Sequence, residues 1–362
     1  MIPRHARKIL LVRLSARGDL VFASPLAAAI KRSHPQAHLA WIAEERTADV
    51  IQHNPHVDEV IVWHRAAWKR LWKARKFRQL FREVHSFRTE LRNRRFDVAI
   101  DAQGLLRSGA VAFFSGAPVR IGLASREGSR FLMTRVVELG GDKRDISSEY
   151  KHLAQRLELE VDSFAIDIPL GAGEADFVDG LIQAEGLEAG YVVACPFTTR
   201  HYKHWFEGRW AELLSQTEGR TGKRVLLLGG PDDRAAADRV LDLCESRVID
   251  LVGRTSLGQA AAVVSRADLL VGVDTGLSHM AHGYDRPSVL LFGSNTPYLN
   301  PPSTQAQILH SGRSCSPCRG KLICKGRIDC MGDLSVEAVM SAVERGLGGG
   351  RVGNQMPAPS GR

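Results

Sequence analysis

Short apolar runs alternate with longer amphipathic stretches along most of the chain. Residues 8–14, 38–43, 59–63, 97–101 and 119–123 are runs rich in Val, Ile and Leu. Consecutive apolar positions of this length fit strands covered on both faces, as in a parallel sheet. Between them, residues 21–33 and 149–159 follow a helical period, with Pro25 near the first turn of the earlier helix. The alternation restarts further on. Strands are predicted at 191–195, 224–228, 248–251, 269–273 and 289–292, and helices at 210–216, 234–244, 257–265 and 336–345. Asp167 to Ala175 has no clear period and carries Pro169, Gly171 and Gly173, which reads as a linker. From Gly348 onward Gly, Pro and Ser dominate, and a disordered tail is expected. The pattern predicts an α/β chain of two Rossmann-like parallel-sheet domains facing a central cleft, residues 1–170 and 171–346, with 347–362 as the tail.

Polar residues gather where these strands end. Leu269–Val273 stops at Asp274-Thr275-Gly276, which is turn chemistry, and a helical pattern opens at Ser278. Ligands of open α/β sheets sit at such strand ends, against the free amides of the next helix. Asp274 can also be only a helix cap. Strand 8–14 leads into a Ser15–Asp19 loop, strand 97–101 into Ala102-Gln103-Gly104, and strand 191–195 into Thr198-Thr199-Arg200-His201-Tyr202-Lys203. A dinucleotide-binding domain would carry Gly-x-Gly-x-x-Gly after its first strand, but the sequence there is Leu-Ser-Ala-Arg-Gly-Asp. No Walker A sequence occurs either, so nicotinamide oxidoreductases and P-loop kinases are disfavoured.

Charge changes the picture in one region. The net charge is +9, which favours an anionic partner. From His64 to Phe96 there are twelve Lys or Arg against Glu83 and Glu90 alone. Trp68, Trp72, Phe77, Phe81 and Val84 recur through this stretch near helical spacing. It is an amphipathic helical segment, broken at most once. One reading makes the stripe a core face with a solvated basic back; the other makes it a surface for phosphorylated lipid or a membrane interface. No run of about 18 apolar residues predicts a membrane span, and the first residues lack a signal-peptide pattern, so a cytoplasmic location is expected. Cys315, Cys318, Cys324 and Cys330 cluster near the end. In a reducing compartment they read as a four-thiolate structural zinc site or as reduced thiols, ahead of disulfides.

Several of these segments together resemble glycosyltransferase family nine. The resemblance rests on Asp-Thr-Gly-Leu-Ser-His at 274–279, Thr-Thr-Arg-x-x-Lys-His-Trp at 198–205, Asp-Ala-Gln-Gly-Leu at 101–105, Gly18-Asp19 and Trp41-Ile42-Ala43-Glu44-Glu45. It implies a GT-B fold with an acceptor-binding N-terminal half and a donor-binding C-terminal half. It further implies inverting transfer of heptose from ADP-L-glycero-β-D-manno-heptose to a Kdo-bearing lipid A acceptor, with no metal needed for catalysis. By that resemblance Asp19 would be the base that takes the acceptor proton, made more basic by burial. Lys203 would offset the charge on the departing ADP. Thr198, Thr199, Asp233, Asp274, Thr275, Gly276 and His279 would hold the donor. Asp233 stands where the family pattern has Glu, which shortens that contact. Gly18, Asp101 and Gln103 fall on the acceptor side, where Arg65, Lys69, Arg70 and Lys73 would steer the anionic acceptor. The protein would work as a monomer at the inner leaflet of the inner membrane. Two alternatives remain: a family-nine enzyme for another nucleotide sugar or core position, and a basic nucleic-acid-binding protein, which the hydrophobic stripe disfavours.

Overall fold

The computed structural model describes residues 2–295, 297–300, 305–318, 324 and 326–348. The chain divides into two units, Met1–Asp142 with Ser147–Pro169, and Lys143–Ile146 with Leu170–Arg362.

The first unit runs β1 (Lys8–Val12), α1 (Arg17–Ala23), α2 (Pro25–Ser33), β2 (His38–Glu44), β3 (Glu59–Trp63), α3 (Arg65–Lys73), α4 (Phe77–Asn93), β4 (Val98–Asp101), α5 (Leu106–Phe114), β5 (Val119–Leu123), β6 (Arg135–Val137) and α6 (Ser148–Arg156). Its strands pair in parallel in the order β3-β2-β1-β4-β5-β6. Leu10, Val12, Ala40, Ile42 and Ala99 are buried on one face, and Ile9, Leu11, Leu39, Trp41, Val98 and Ile100 on the other. That is why β1, β2 and β4 are apolar on consecutive residues rather than alternating.

The second unit runs α7 (Ala172–Glu185), β7 (Tyr191–Cys195), α8 (Glu207–Thr221), β8 (Arg224–Leu227), α9 (Arg234–Asp242), β9 (Val248–Asp250), α10 (Leu257–Ser265), β10 (Leu269–Val273), α11 (Gly276–Gly283), β11 (Ser288–Phe292), β12 (Ala306–His310), α12 (Asp329–Gly332) and α13 (Val336–Leu347). Its sheet is β12-β11-β10-β7-β8-β9, also parallel. Numbered from its own first strand, this order is the same as in the first unit. Each sheet therefore reverses direction between its first and fourth strands, β1 and β4 in one, β7 and β10 in the other. Such a switch point opens a crevice at the carboxyl ends of those two strands.

Several elements depart from the sequence reading. The helix expected over 21–33 is two helices, because Pro25 starts a new one and contributes no N–H to the old. Helix α1 begins at Arg17, so Gly18 and Asp19 lie in its first turn rather than in a loop. Ala172 already belongs to α7, so the linker expected over 167–175 is shortened at its end. The edge strands β6 and β12 were not expected; β6 has three residues, too few for a periodic signal. The basic segment does break once, between α3 and α4. The expected tail lies outside the described residues from 349 onward.

Candidate active site

In the first unit the switch point holds a carboxylate and a buried cation. Asp19 Oδ2 lies 2.6 Å from Arg13 Nη2 and accepts the Ala16 N–H at 3.0 Å. The Asp19 side chain is 44% exposed, so the expected burial is not present in this structure. Arg13 is buried, with its guanidinium 5.8 Å from the centre of the Tyr150 ring. Burial works to lower its pKa, but Tyr150, Asp19, Glu149 and Asp101 leave it above the ordinary value. Arg107 donates to Ser15 Oγ at 3.0 Å, and Gln103 Oε1 accepts the Leu14 N–H at 2.9 Å. Arg13, Tyr150 and Arg107 were not anticipated. An Arg inside the apolar run of β1 was the one available signal for the first of them.

Asp101, expected on the acceptor side, is enclosed by its own surroundings. It is fully buried, accepts the amides of Gln103 and Gly104 at 3.0 Å each, and accepts the Ser108 hydroxyl at 3.1 Å. Burial raises its pKa, against those amides. Its oxygens are engaged by the loop amides and the Ser108 hydroxyl. Gly104 sits at φ 70°, where a Cβ would lie 2.0 Å from the Leu123 carbonyl oxygen, so the turn requires glycine. Arg65 is paired with Glu44 at 3.2 Å, while Lys69, Arg70 and Lys73 form no ion pair among the described residues.

In the second unit Asp274 follows β10, just as Asp101 ends β4. Its surroundings are much richer. Lys203 Nζ reaches Asp274 Oδ2 at 2.7 Å, and Asn295 Nδ2 donates to the same oxygen at 2.5 Å. His279 Nε2 meets Asp274 Oδ1 at 2.9 Å. Burial pushes the Asp274 pKa up, but His279 and Lys203 outweigh it and hold the carboxyl well below the usual range. Asp274 is therefore a fixed anion at neutral pH.

A hydrogen-bonded chain continues inward. Tyr298 Oη lies 3.0 Å from His279 Nδ1 and 2.9 Å from His282 Nε2. With His282 neutral and His279 Nδ1 as an acceptor, one proton order satisfies every contact. His282 Nε2–H donates to Tyr298, Tyr298 donates to His279 Nδ1, and His279 Nε2–H donates to Asp274. Burial above all holds the His282 pKa at about 3, so that ring is neutral. The expected partner His279 is thus an orienting group with both nitrogens engaged. Asn295, Tyr298 and His282 were not anticipated, because they lie beyond the motif and meet it only through the fold.

Around this carboxylate the ligand-facing parts are short. Thr275 precedes α11 with no side-chain cap bond, and the first amides of α11, from Gly276, have no partner within the helix. Gly272, in β10, stands where a Cβ would fall 2.5 Å from Ser278 Oγ and 3.0 Å from Cys195 Cβ, so strand and helix meet closely there. Lys203 is carried by a single turn, His201–Lys203, anchored by a 2.7 Å bond between His204 Nε2 and the Thr198 carbonyl. Thr199 is exposed and Thr198 half-buried. Asp233 is used locally, accepting the Gly230 N–H at 2.8 Å.

The four clustered cysteines are free thiols that line one small pocket with Tyr202, Ser294, Ile328 and Asp329. Burial and the other three thiols raise the Cys330 pKa, while backbone N–H groups, that of Ile328 first, lower that of Cys324. Among the described residues no three Cys, His, Asp or Glu side chains are already drawn together as a metal-binding group.

Two open parallel sheets, one with a cation–carboxylate couple at a helix start, form an arrangement that binds ligands at its strand ends. The profile of glycosyltransferase family 9 (heptosyltransferase) matches residues 84–327, and the chain belongs to that family of glycosyltransferases. It is 30% identical over 329 residues to lipopolysaccharide heptosyltransferase 1 of Pseudomonas aeruginosa, covering 87% of this chain and 86% of that one. It is 29% identical over 297 residues to lipopolysaccharide heptosyltransferase 1 of Salmonella typhimurium, covering 81% and 90%. Heptosyltransferases 2 and 3 also match, at 26% and 22% identity. Among solved structures, the Escherichia coli heptosyltransferase WaaC with ADP-2-deoxy-2-fluoro heptose superposes with a TM-score of 0.71 at 24% identity, covering 93% of this chain and 99% of that one.

Proposed function

We propose that this protein transfers heptose from ADP-L-glycero-β-D-manno-heptose, with inversion, to a Kdo hydroxyl of a lipid A precursor at the cytoplasmic membrane surface. The observation that carries this reading is the Lys203–Asp274–His279 couple at the start of α11. Its anion is held ionised and ready to accept sugar hydroxyls, and its cation is bonded to the acid just before α11, whose first amides lack partners within the helix and suit a diphosphate. The heptosyltransferase 1 relatives and the ADP-heptose analogue bound by WaaC support the donor and the sugar.

In this mechanism Lys203 exchanges part of its contact with Asp274 for the β-phosphate. As the C1–O bond breaks, the bond electrons go to the phosphate oxygen, and the Lys203 ammonium and α11 amides offset that charge. Asp274 keeps the heptose hydroxyls in place and, as a fixed anion, favours the cation-like sugar. Asp19 takes the proton of the attacking Kdo hydroxyl, and Arg13 holds the Asp19 carboxylate in place. Asp19→Ala is expected to lower transfer by a factor of about 10²–10⁴ while ADP still binds. Full turnover by that variant would remove Asp19 from the mechanism. The matches to heptosyltransferases 2 and 3 favour, as a second reading, a different core position. A panel of nucleotide sugars and truncated acceptors separates the two.

The four thiols support a structural role for zinc as well. Cys315, Cys318, Cys324 and Cys330 share one pocket, and thiolates in that number suit a tetrahedral ion that would draw them together. The ion would brace the segment packed on Gly293, where a Cβ would meet Met331 Sδ at 2.6 Å and Cys330 Sγ at 3.0 Å. It would take no part in the transfer.

A further inference from the structure

Helices α3 and α4 divide the aromatic stripe of the basic segment between two environments. Trp68 and Phe87 turn inward. Trp68 lies 5.3 Å from the Trp63 ring in an edge contact and 5.4 Å from Phe87, and both pack against the core of the first unit. These contacts fix the hairpin to the sheet. Trp72, Phe77 and Phe81 turn outward and are 64%, 52% and 71% exposed. Trp72 and Phe77 meet edge to face at 5.3 Å across the junction of the two helices. Phe77 and Phe81 are four residues apart and share one face of α4.

Basic residues flank these rings along the sequence. Between Lys69 and Arg82 there are seven Lys or Arg and no acid. Among the described residues none of the seven forms an ion pair. Two basic residues nearer the ends of the segment are paired. Arg65 is paired with Glu44 at 3.2 Å, and Arg94 with Glu59 at 2.7 Å. Arg65 and Arg94 are neutralised where the hairpin joins the sheet, Arg88, Arg92 and Arg95 form no ion pair among the described residues, and the cations that flank the protruding aromatics are unpaired as well.

We propose that the tip of this hairpin, from Lys69 to Arg82, is a membrane-docking element that seats on an anionic lipid bilayer. Free cations give long-range attraction to anionic headgroups, and amphipathic aromatics enter the interfacial layer. Either signal alone binds weakly; the two together hold a protein at the surface reversibly. No described helix is long and apolar enough to cross a membrane, so such an element would supply attachment without a span. The proposal deepens the membrane part of the proposed function, but its binding step needs neither the donor nor the heptose chemistry.

The test is flotation of the full-length protein with vesicles of phosphatidylcholine alone, or of phosphatidylcholine mixed with phosphatidylglycerol. Association with the mixed vesicles is expected, with at least tenfold less on phosphatidylcholine and a steep loss with added salt. The triple variant Trp72→Ser, Phe77→Ser, Phe81→Ser is expected to lose at least tenfold in vesicle binding. Its thermal midpoint and ADP affinity are expected to stay unchanged, because the three side chains support no core. A second variant, Lys76→Glu, Arg78→Glu, Arg82→Glu, is expected to lose binding to the mixed vesicles as well. Equal binding by wild type and both variants overturns the proposal, as does tighter binding of single-stranded oligonucleotide than of vesicles at the same salt. Transfer to a water-soluble, delipidated acceptor is measured in parallel. Failure there with intact vesicle binding counts against the heptose reading alone.

Discussion

Replacing Tyr298 by Phe removes one oxygen from the most tightly connected part of the donor side. That hydroxyl bridges His279 Nδ1 and His282 Nε2, and Tyr298 is buried. Phe keeps the ring and its edge contact with Phe292 at 5.1 Å, so little packing is lost. Two buried ring nitrogens lose their partner, one acceptor and one donor. The other nitrogen of His282 already has none among the described residues. An unsatisfied buried polar group costs about 1–3 kcal/mol, so the variant should lose about 2–4 kcal/mol. For a unit of this size that lowers the unfolding midpoint by roughly 5–12 °C. His279 also loses the bond that sets its ring against Asp274, so the KM for the nucleotide sugar should rise more than kcat falls. The checks are chemical denaturation followed by tryptophan fluorescence, and steady-state transfer kinetics. Stability within ~0.5 kcal/mol of wild type, together with an unchanged KM, would refute the proton order assigned here, since that order makes the hydroxyl indispensable to both rings.

Lys203→Ala should lower kcat by about 10²-fold, since it removes the cation beside the leaving diphosphate and leaves Asp274 without its ammonium partner; a change confined to KM would contradict this. Stability should fall as pH drops below about 6.5, the ordinary His value, because the unfolded His282 takes a proton that the folded ring, at about 3, does not. The expected slope is about 1.4 kcal/mol per pH unit, and denaturation curves at pH 7 and pH 5 for wild type and His282→Asn should show it lost in the variant. Asp274, depressed when folded, contributes stability that is present above about 4 and lost only at lower pH, so the two effects separate along the titration. Protein purified without oxygen or chelator should carry close to one zinc per chain by elemental analysis, and Cys318→Ser should release it; no stoichiometric metal would leave the four cysteines as plain thiols.

Much of this was legible along the chain because buried parallel strands announce themselves. β5, β7, β10 and α10 fall where the apolar runs placed them, and the Asp-Thr-Gly turn stands at the carboxyl end of β10 as expected. Propensity and period are local, so they also identified the basic amphipathic segment and its single break. They could not say which of its aromatics face inward. Trp68 and Trp72 are four residues apart on one helix, and only the position of Trp63 and Phe87 makes the first a core residue and leaves the second exposed.

The two aspartates after the fourth strands mark the limit most clearly. By sequence alone Asp101 and Asp274 are alike: an acid after a short apolar run, then a glycine-containing turn and a helix. That much was determined locally, by backbone sterics and the hydrophobic pattern. Which of them is a fixed, partly accessible anion depended on neighbours from distant parts of the chain. Lys203, Asn295 and, through His279, Tyr298 converge on one, while amides of its own loop and a serine in the first turn of α5 enclose the other. A charge acquires its state from the groups within a few ångströms of it, and those are assembled only when the sheet brings separate strand ends together.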